Sequence, residues 1–253
     1  MAGNFWQSSH HQQWILDKQD LLRERHFDLS ILTEDEYQKL HIFFADFIQG
    51  LGEQMKVRQQ VVGTATVYFK RFYVRNSFKC IDPLLLAPTC IFLASKVEEF
   101  GVPSNSKLIT ACQTILKSKY NFAYNQEFPY RTNNILELYQ PYRPLLQLMQ
   151  DLGYEEQLLT LAWKIVNESL RTDVCLLYPP YQIAIGCMQI ACVILQRDQH
   201  KMWFAELNVD IEKIQEIARY IVNLFELRKQ YDEKTELQAL LNKMPKPKPA
   251  PQR

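Results

Sequence analysis

The chain has 253 residues, enough for one large or two ordinary domains, and its 47% hydrophobic content excludes an intrinsically disordered protein. Its net charge of +1 gives no broad electrostatic footprint for DNA or RNA, and its 7 glycines disfavour phosphate-binding loops and turn-rich β architecture. The six cysteines form no CxxC pair, the amino terminus lacks a signal peptide, and no apolar run reaches the ~18 residues of a membrane span. We therefore expect a soluble intracellular protein with reduced thiols.

Helical periodicity dominates the first part of the chain, and strand alternation is absent. Ser8 or Ser9 can cap a first helix, SHHQQWILDKQDLLRER. Thr33 and Glu36 form a capping box before EDEYQKLHIFFADFIQGL, a helix that we expect to end at the two glycines of QGLG.

The later segments are helical as well, so the predicted fold class is all-α. Pro83 suits the first turn of DPLLLAPTCIFLASKVEE. The other predicted helices are VRQQVVGTATVYFKRFYVRN, SNSKLITACQTILKSK, RPLLQLMQDLG, QLLTLAWKIVNESLRT, PPYQIAIGCMQIACVILQR, MWFAELN and DIEKIQEIARYIVNLFELRKQY. The final KMPKPKPAPQR, with prolines at alternate positions and interleaved lysines, is typical of a disordered tail.

An internal repeat divides the chain into two helical bundles. Two sets of residues share the spacing i, i+4, i+7, i+11 and lie 97 positions apart (180 − 83 = 97), namely Pro83, Ala87, Cys90, Ala94 and Pro180, Ala184, Cys187, Ala191. The same offset pairs Ala65 with Ala162 one helix earlier. Small residues in one stripe let neighbouring helices approach closely, so each bundle is expected to have such a helix at its centre.

The two central helices differ at their carboxyl ends. The first ends in Lys96, Glu98 and Glu99, whereas the offset places Val193, Leu195 and Gln196 at the matching positions. Negative charge there opposes the helix dipole. A solvated helix end is the simple interpretation; the alternative is a contact point for a partner.

The residues around this helix end resemble a known family. FLASKVEE resembles the signature of the third helix of the cyclin box, and ATVYFKRFY at 65–73 resembles the second helix of the transcriptional cyclins. NFWQSSHHQQWILDK and WFAELNVDIEKI extend the resemblance over nearly the whole chain before the tail. The sequence is therefore identified as a member of the cyclin family, in which two helical boxes follow one another. The expected segments are an amino-terminal helix at 1–32, boxes at 33–140 and 141–232, and an extension ending in the tail at 233–253.

This resemblance implies a regulatory function. Cyclins activate a cyclin-dependent kinase by pushing its αC helix inward, which assembles the kinase's own Lys–Glu ion pair. By motif, Lys96 corresponds to the lysine that binds the kinase near that helix, and Glu98 and Glu99 are expected to meet basic kinase residues. The implied partners are a Mediator kinase of the cyclin-dependent kinase 8 type and the large Mediator kinase-module subunits. The implied location is the nucleus, no cofactor is implied, and the kinase phosphorylates the transcription machinery.

The sequence departs from the family pattern in two places. LHIFF at 40–44 replaces the substrate-docking patch of the cell-cycle cyclins, which favours the transcriptional subgroup. RTNNILEL at 131–138 runs directly into YQPYRP, so one long helix at the end of the first box is expected to be missing. The family glutamate that partners Lys96 is lost with that helix, and Glu137 is an uncertain substitute.

In the second box, Trp163 and Asn167 lie one helical turn apart. A core tryptophan is the common interpretation of Trp163. An asparagine is costly in a dry core, so the alternative is a small aromatic groove for a Mediator-module subunit.

Other functions find less support. No metal-binding histidine spacing or catalytic motif occurs, and the adjacent carboxylates Glu98–Glu99 and Glu155–Glu156 lack acid–base partners in sequence, so we expect no enzyme activity. One alternative is a TFIIB-like cyclin-fold factor contacting DNA, which the near-zero net charge and the lack of a strongly basic helix disfavour, since KRFYVR at 70–75 is short and aromatic. The other alternative is a helical scaffold that activates no kinase.

Overall fold

The computed structural model describes residues 5–101, 103–124, 142–197, 200–207 and 209–245. Within these ranges the chain forms α-helices, a 3₁₀ helix at Phe5–Gln7 and no strand, so the all-α prediction is confirmed. The helices are α1 (Ser9–Gln13), α2 (Lys18–Glu24), α3 (His26–Leu29), α4 (Glu34–Met55), α5 (Gln59–Arg75), α6 (Pro83–Val97), α7 (Asn105–Lys119), α8 (Tyr142–Leu152), α9 (Glu156–Ser169), α10 (Val174–Leu177), α11 (Pro180–Ile194), α12 (Lys201–Glu206), α13 (Ile211–Gln230) and α14 (Glu233–Lys243). None of the helices in the described ranges has the length and apolar character needed to cross a membrane.

The described residues form two compact units. The first contains residues 17–124 and 230–245, and the second contains residues 5–16 and 142–229, apart from the gaps given above. The segment 5–16 thus packs within the second unit, and α14 packs within the first. The shortened junction at 131–138 and the residue Glu137 lie outside the described residues, as does the tail from Lys246 onward.

Capping residues set the starts of the amino-terminal helices. The Ser8 side chain accepts a hydrogen bond from the His11 amide at 3.2 Å, and the Thr33–Glu36 capping box is complete, as predicted. One continuous helix over SHHQQWILDKQDLLRER is wrong, because Asp17 caps a new helix by accepting from the Gln19 amide at 2.8 Å. A short acidic side chain that binds the backbone beyond it favours such a break.

The glycines of QGLG do not end α4 as expected. The helix passes through Gly50 and Gly52 to Met55, and Lys56 follows in the left-handed region with φ of 55°. At Gly52 an added Cβ would collide with the Val62 side chain of α5. This glycine therefore permits a close helix–helix approach instead of terminating a helix.

Helix α14 was not predicted by the sequence patterns above. The Asp232 side chain caps it by accepting from the Lys234 amide at 3.1 Å. Leu237, Leu240 and Leu241 are buried in the same hydrophobic core as α4. The carboxyl-terminal extension is thus partly an integral helix of the first unit.

The internal repeat is visible in both units. The stripe alanines at 65, 87, 94, 162, 184 and 191 are completely buried. Helix α5 begins 97 residues before α9 (156 − 59 = 97), and α6 begins and ends 97 residues before α11 (180 − 83 = 97; 194 − 97 = 97). Helix α6 packs against α4 and α5, and α11 packs against α8 and α9, so corresponding helices occupy the centre of each unit.

Candidate functional site

Helix α6 positions the charged residues that the sequence singled out. It starts at Pro83, after Asp82 caps it by accepting from the Leu84 amide at 2.9 Å. Its residues from Cys90 to Ser95 are all buried, so the helix is fixed in the core up to its last turn. The polar end at Lys96 therefore emerges from a rigid support.

The carboxyl end of α6 closes in a left-handed turn. The Glu99 amide donates to the Lys96 carbonyl at 3.2 Å, and the Phe100 amide donates to the Ser95 carbonyl at 3.0 Å. This is the Schellman pattern, which normally favours glycine at the position of Glu99. Glu99 has φ of 49°, a conformation that costs a non-glycine residue about 1–2 kcal/mol. The chain thus holds an exposed carboxylate at a strained position.

The side chains of Lys96 and Glu98 are held by neighbours. The Lys96 Nζ atom lies 4.6 Å from the centroid of the Phe92 ring, a cation–π distance. The Thr64 hydroxyl of α5 donates to Glu98 Oε1 at 2.6 Å. Lys96 and Glu98 are half-buried, and Glu99 is exposed. The three residues predicted as a contact point therefore lie together on one short surface, with two of them held in defined orientations.

The matching end of α11 has the same backbone and different chemistry. Gln196 also lies in the left-handed region with φ of 55°, and the Arg197 amide donates to the Cys192 carbonyl at 2.8 Å. The residues before it are apolar and exposed, Val193 at 73% and Ile194 at 57%. The turn is thus common to both units, and the charged end is specific to the first.

The structure places Trp163 and Asn167 in one aromatic cluster with Tyr142. The rings of Tyr142 and Trp163 have centroids 4.6 Å apart, and the Tyr142 hydroxyl donates to Asn167 Oδ1 at 2.9 Å. Trp163 and Asn167 are both half-buried. Asn167 therefore has a polar partner and does not sit in a dry core.

Sequence reasoning missed Thr64 and Tyr142, the two residues that orient the candidate sites. Thr64 lies 34 positions before Glu98, and Tyr142 lies 25 positions before Asn167. No local pattern connects residues so far apart. The repeat offset relates equivalent positions in the two bundles, but it does not specify contacts between α5 and α6 within one bundle.

Metal-binding clusters and reactive thiols are the other features that would indicate catalytic chemistry. In the described part of the chain, no group of three or more His, Cys, Asp or Glu residues is placed to hold a metal ion. Burial raises the pKa of Cys112 to about 12 and that of Cys192 to about 11, so these thiols stay protonated and unreactive near neutral pH. The neighbouring Glu155 binds Arg197, which lowers the pKa of that carboxyl group.

Comparison with known proteins identifies the family. The family model of the cyclin N-terminal domain matches residues 15–137, and that of the cyclin C-terminal domain matches residues 140–246. The chain belongs to the cyclin family. The cyclin resemblance inferred from FLASKVEE is thus confirmed.

Relatives of this cyclin share its full length. Cyclin-C of Drosophila melanogaster is 71% identical over 267 positions, with all of both chains covered. Cyclin-C of Rattus norvegicus is 58% identical, with 99% of this chain and 93% of that protein covered. Cyclin-C of Caenorhabditis elegans is 35% identical, with 99% of this chain and 95% of that protein covered. The Drosophila alignment exceeds the 253 residues of this cyclin by 14 positions (267 − 253 = 14), so at least that many positions lack a residue here.

Solved structures share the fold. A chain of the CAK complex from Chaetomium thermophilum bound to ATP-γ-S has a TM-score of 0.72 at 18% identity, covering 96% of this cyclin and 88% of that chain. A chain of the yeast TFIIK (Kin28/Ccl1/Tfb3) complex has a TM-score of 0.60 at 23% identity, covering 86% and 100%. Family membership makes this cyclin a regulatory subunit and not an enzyme, because the kinase partner carries the catalytic activity.

Proposed function

We propose that this cyclin binds and activates a transcriptional kinase of the cyclin-dependent kinase 8 type within the nuclear Mediator complex. Its relatives named Cyclin-C and its fold neighbours in complexes that contain transcription-associated kinases support this assignment. The observation that carries it is the charged end of α6, where Lys96 rests on Phe92 and Glu98 is held by Thr64.

The geometry suits a contact that must push a kinase helix. Activation shifts the kinase from an αC-out to an αC-in population, and moving that ratio from 1:99 to 99:1 needs ~5.5 kcal/mol of differential binding. A flexible lysine and a flexible glutamate would lose side-chain entropy in the contact, ~0.5–1.5 kcal/mol for each immobilised side chain. Because Lys96 and Glu98 are already oriented in the free protein, less side-chain entropy is lost when the kinase binds.

The experiment is a charge reversal at the helix end. Lys96→Glu with Glu98→Lys is expected to weaken binding to the purified kinase at least about thirtyfold, because disrupting a desolvated charge contact costs ~2–5 kcal/mol. The matched control is Glu226→Lys with Lys229→Glu, which reverses an exposed ion pair on α13. Kinase affinity that is unchanged in a folded Lys96/Glu98 variant would refute the assignment.

A milder variant separates charge from orientation. Thr64→Val removes the hydroxyl that holds Glu98 and leaves both charges in place. It is expected to weaken kinase binding severalfold, less than the charge reversal. An effect as large as that of the reversal, together with lost helical circular dichroism, would indicate misfolding.

The second candidate contact is the cluster of Trp163, Asn167 and Tyr142. We propose that it forms part of a groove for a large Mediator kinase-module subunit, supported by the partial exposure of Trp163 and Asn167. Asn167→Ala is expected to reduce capture of that subunit while kinase binding stays unchanged. If Trp163→Phe and Asn167→Ala lower the melting temperature without reducing capture, the cluster serves packing alone.

A further inference from the structure

A groove opens beside the charged end of α6. Its described lining residues do not include Lys96, Glu98 or Glu99, so it is separate from the candidate kinase contact. It runs between the end of α4, the turn after α6 and the start of α7, with a volume of about 590 Å³. Met55, Val57, Phe100 and Ala111 form its apolar floor. Its polar lining includes Gln54, Lys56, Ser106, Lys107 and Thr110.

The rim of the groove is positively charged. Lys56 and Lys107 line it, and Arg58 lies over Phe100 with its Cζ atom 5.4 Å from the ring centroid. All three side chains are exposed. No carboxylate appears among the described lining residues. The nearest acidic residues along the chain are Glu53, which accepts a hydrogen bond from the Gln49 side chain at 3.0 Å, and Glu99.

The second unit neutralises the same position. The repeat offset carries Arg58 to Glu155 and Phe100 to Arg197 (155 − 58 = 97; 197 − 100 = 97). In the second unit this pair is an ion pair, with Arg197 Nε donating to Glu155 Oε1 at 2.6 Å. In the first unit the guanidinium lies on a phenyl ring instead, and within the described residues neither Arg58, Lys56 nor Lys107 forms an ion pair. The exposed positive charge is thus specific to the first unit.

Lys56 adds an independent observation. It has φ of 55°, whereas the repeat offset places Gly153 at the matching position (153 − 56 = 97), with φ of 101°. Glycine adopts the left-handed region without strain and lysine does not. Strained backbone conformations cluster at functional sites, so a lysine in this conformation suggests that its side chain has a function.

We propose that this groove binds an acidic segment of a partner protein other than the kinase. An apolar side chain of the segment packs on Met55 and Phe100, and its carboxylates face Lys56, Arg58 and Lys107. The start of α7 adds the positive end of a 15-residue helix, which favours anions. This interaction does not require kinase binding, because the charged and apolar residues that form the groove all belong to the cyclin.

The test uses the full chain and a fluorescent peptide of three glutamates, one phenylalanine and three more glutamates. Fluorescence anisotropy is expected to show binding that weakens at least about tenfold between 50 mM and 500 mM salt, because the added ions screen the charge–charge attraction. A peptide with glutamine in place of every glutamate loses its charge–charge attraction, and one with glycine in place of phenylalanine loses its apolar contact, so both are expected to bind at least about tenfold more weakly. Equal binding of either control peptide would overturn the proposal.

Variants then locate the site. Arg58→Glu with Lys107→Glu is expected to reduce peptide affinity at least about tenfold, whereas Lys213→Glu with Lys229→Glu, an equal charge change on exposed residues of α13, leaves it within about twofold. Lys56→Gly is expected to raise the melting temperature and still weaken the peptide severalfold, an effect that unfolding cannot produce. Equal losses in the two charge-reversed variants would overturn the proposal, because they would reflect overall charge. Release of the peptide by saturating kinase would overturn it as well, because the kinase would then be the occupant.

Discussion

Removing the Leu237 side chain tests whether the carboxyl-terminal extension belongs to the first unit. Leu237 lies on α14 with 0% of its surface exposed, in the core that also contains α4. Leu237→Ala removes three carbon atoms, about 2.4 kcal/mol of transfer free energy at ~0.8 kcal/mol for each buried methylene. The cavity adds to this loss, and buried leucine-to-alanine changes cost ~2–5 kcal/mol in total, so we expect about 3 kcal/mol.

The matched control is Leu22→Ala on α2, which removes the same atoms from a side chain that is 39% exposed. Less surface is returned to water and no closed cavity forms, so the expected loss is about 1 kcal/mol. Urea unfolding followed by circular dichroism measures both variants. The four tryptophans (Trp6, Trp14, Trp163 and Trp203) belong to the second unit, so their fluorescence follows that unit separately.

The expected result is a loss of unfolding free energy about three times larger for Leu237→Ala than for Leu22→Ala. A drop of roughly 10 °C in the melting of the first unit corresponds to about 3 kcal/mol for a domain of this size. If the two variants lose the same stability, α14 is not packed in the core, and its helix would be an exposed appendage. In that case the two lysine–glutamate pairs that link α14 to α4 would also contribute nothing measurable.

Three further predictions follow from the same structure. Glu99→Gly is expected to stabilise the protein by about 1 kcal/mol in denaturant titrations and to weaken kinase binding. Gln196→Gly at the matching turn should give the same stabilisation with unchanged kinase affinity. Equal effects of the two variants on kinase affinity would contradict a role for Glu99. Lys243 lowers the pKa of Glu36, so the Glu36 contribution to stability is present above the usual pKa near 4.5 and is lost as pH falls through the lowered value. Glu36→Gln should therefore flatten the dependence of stability on pH below about pH 4.5, and an unchanged slope in acid titrations would refute the pairing. Insertion after Glu137 of the helix that is expected to be missing there, taken from a relative, should raise the melting temperature and kinase stimulation because it covers apolar surface. Equal values for both forms would show that the short junction closes the first box by itself.

The sequence predicted those parts of the fold that depend on local patterns. Thr33 and Glu36 are three residues apart and cap α4, and Pro83 begins α6, because capping and the fixed φ of proline act over one helical turn. The stripe of alanines at a constant offset predicted the two central helices, because helix–helix approach depends on residue size at a fixed period. These features needed no knowledge of distant residues.

The parts that the sequence did not predict depend on contacts across the chain. Gly52 resembles a helix terminator, but its role is the close approach of Val62 on the next helix. Helix α14 has apolar residues at 237, 240 and 241, a recognisable spacing, yet it follows a long helix and precedes a proline-rich tail, which hid the signal. The hydrogen bond from Thr64 to Glu98 and the packing of Arg58 on Phe100 could be found only after the helices were placed.

The two helix ends differ in chemistry, and the proposed function rests on this difference. Both ends have the same left-handed turn, at Glu99 and at Gln196, and only the first carries the charged residues Lys96 and Glu98. Both helices contain mostly buried residues up to Ser95 and Cys192, so burial of the helix does not by itself explain the charges.

Hydrogen–deuterium exchange of the full chain with and without the purified kinase tests this claim most directly. We predict that kinase binding slows exchange in residues 95–99 and leaves residues 192–196 unchanged, because the proposed contact lies at the charged end of α6. Protection of 192–196 without protection of 95–99 would contradict this prediction, since the kinase would then bind the apolar end of α11 and the charges at Lys96 and Glu98 would have another purpose.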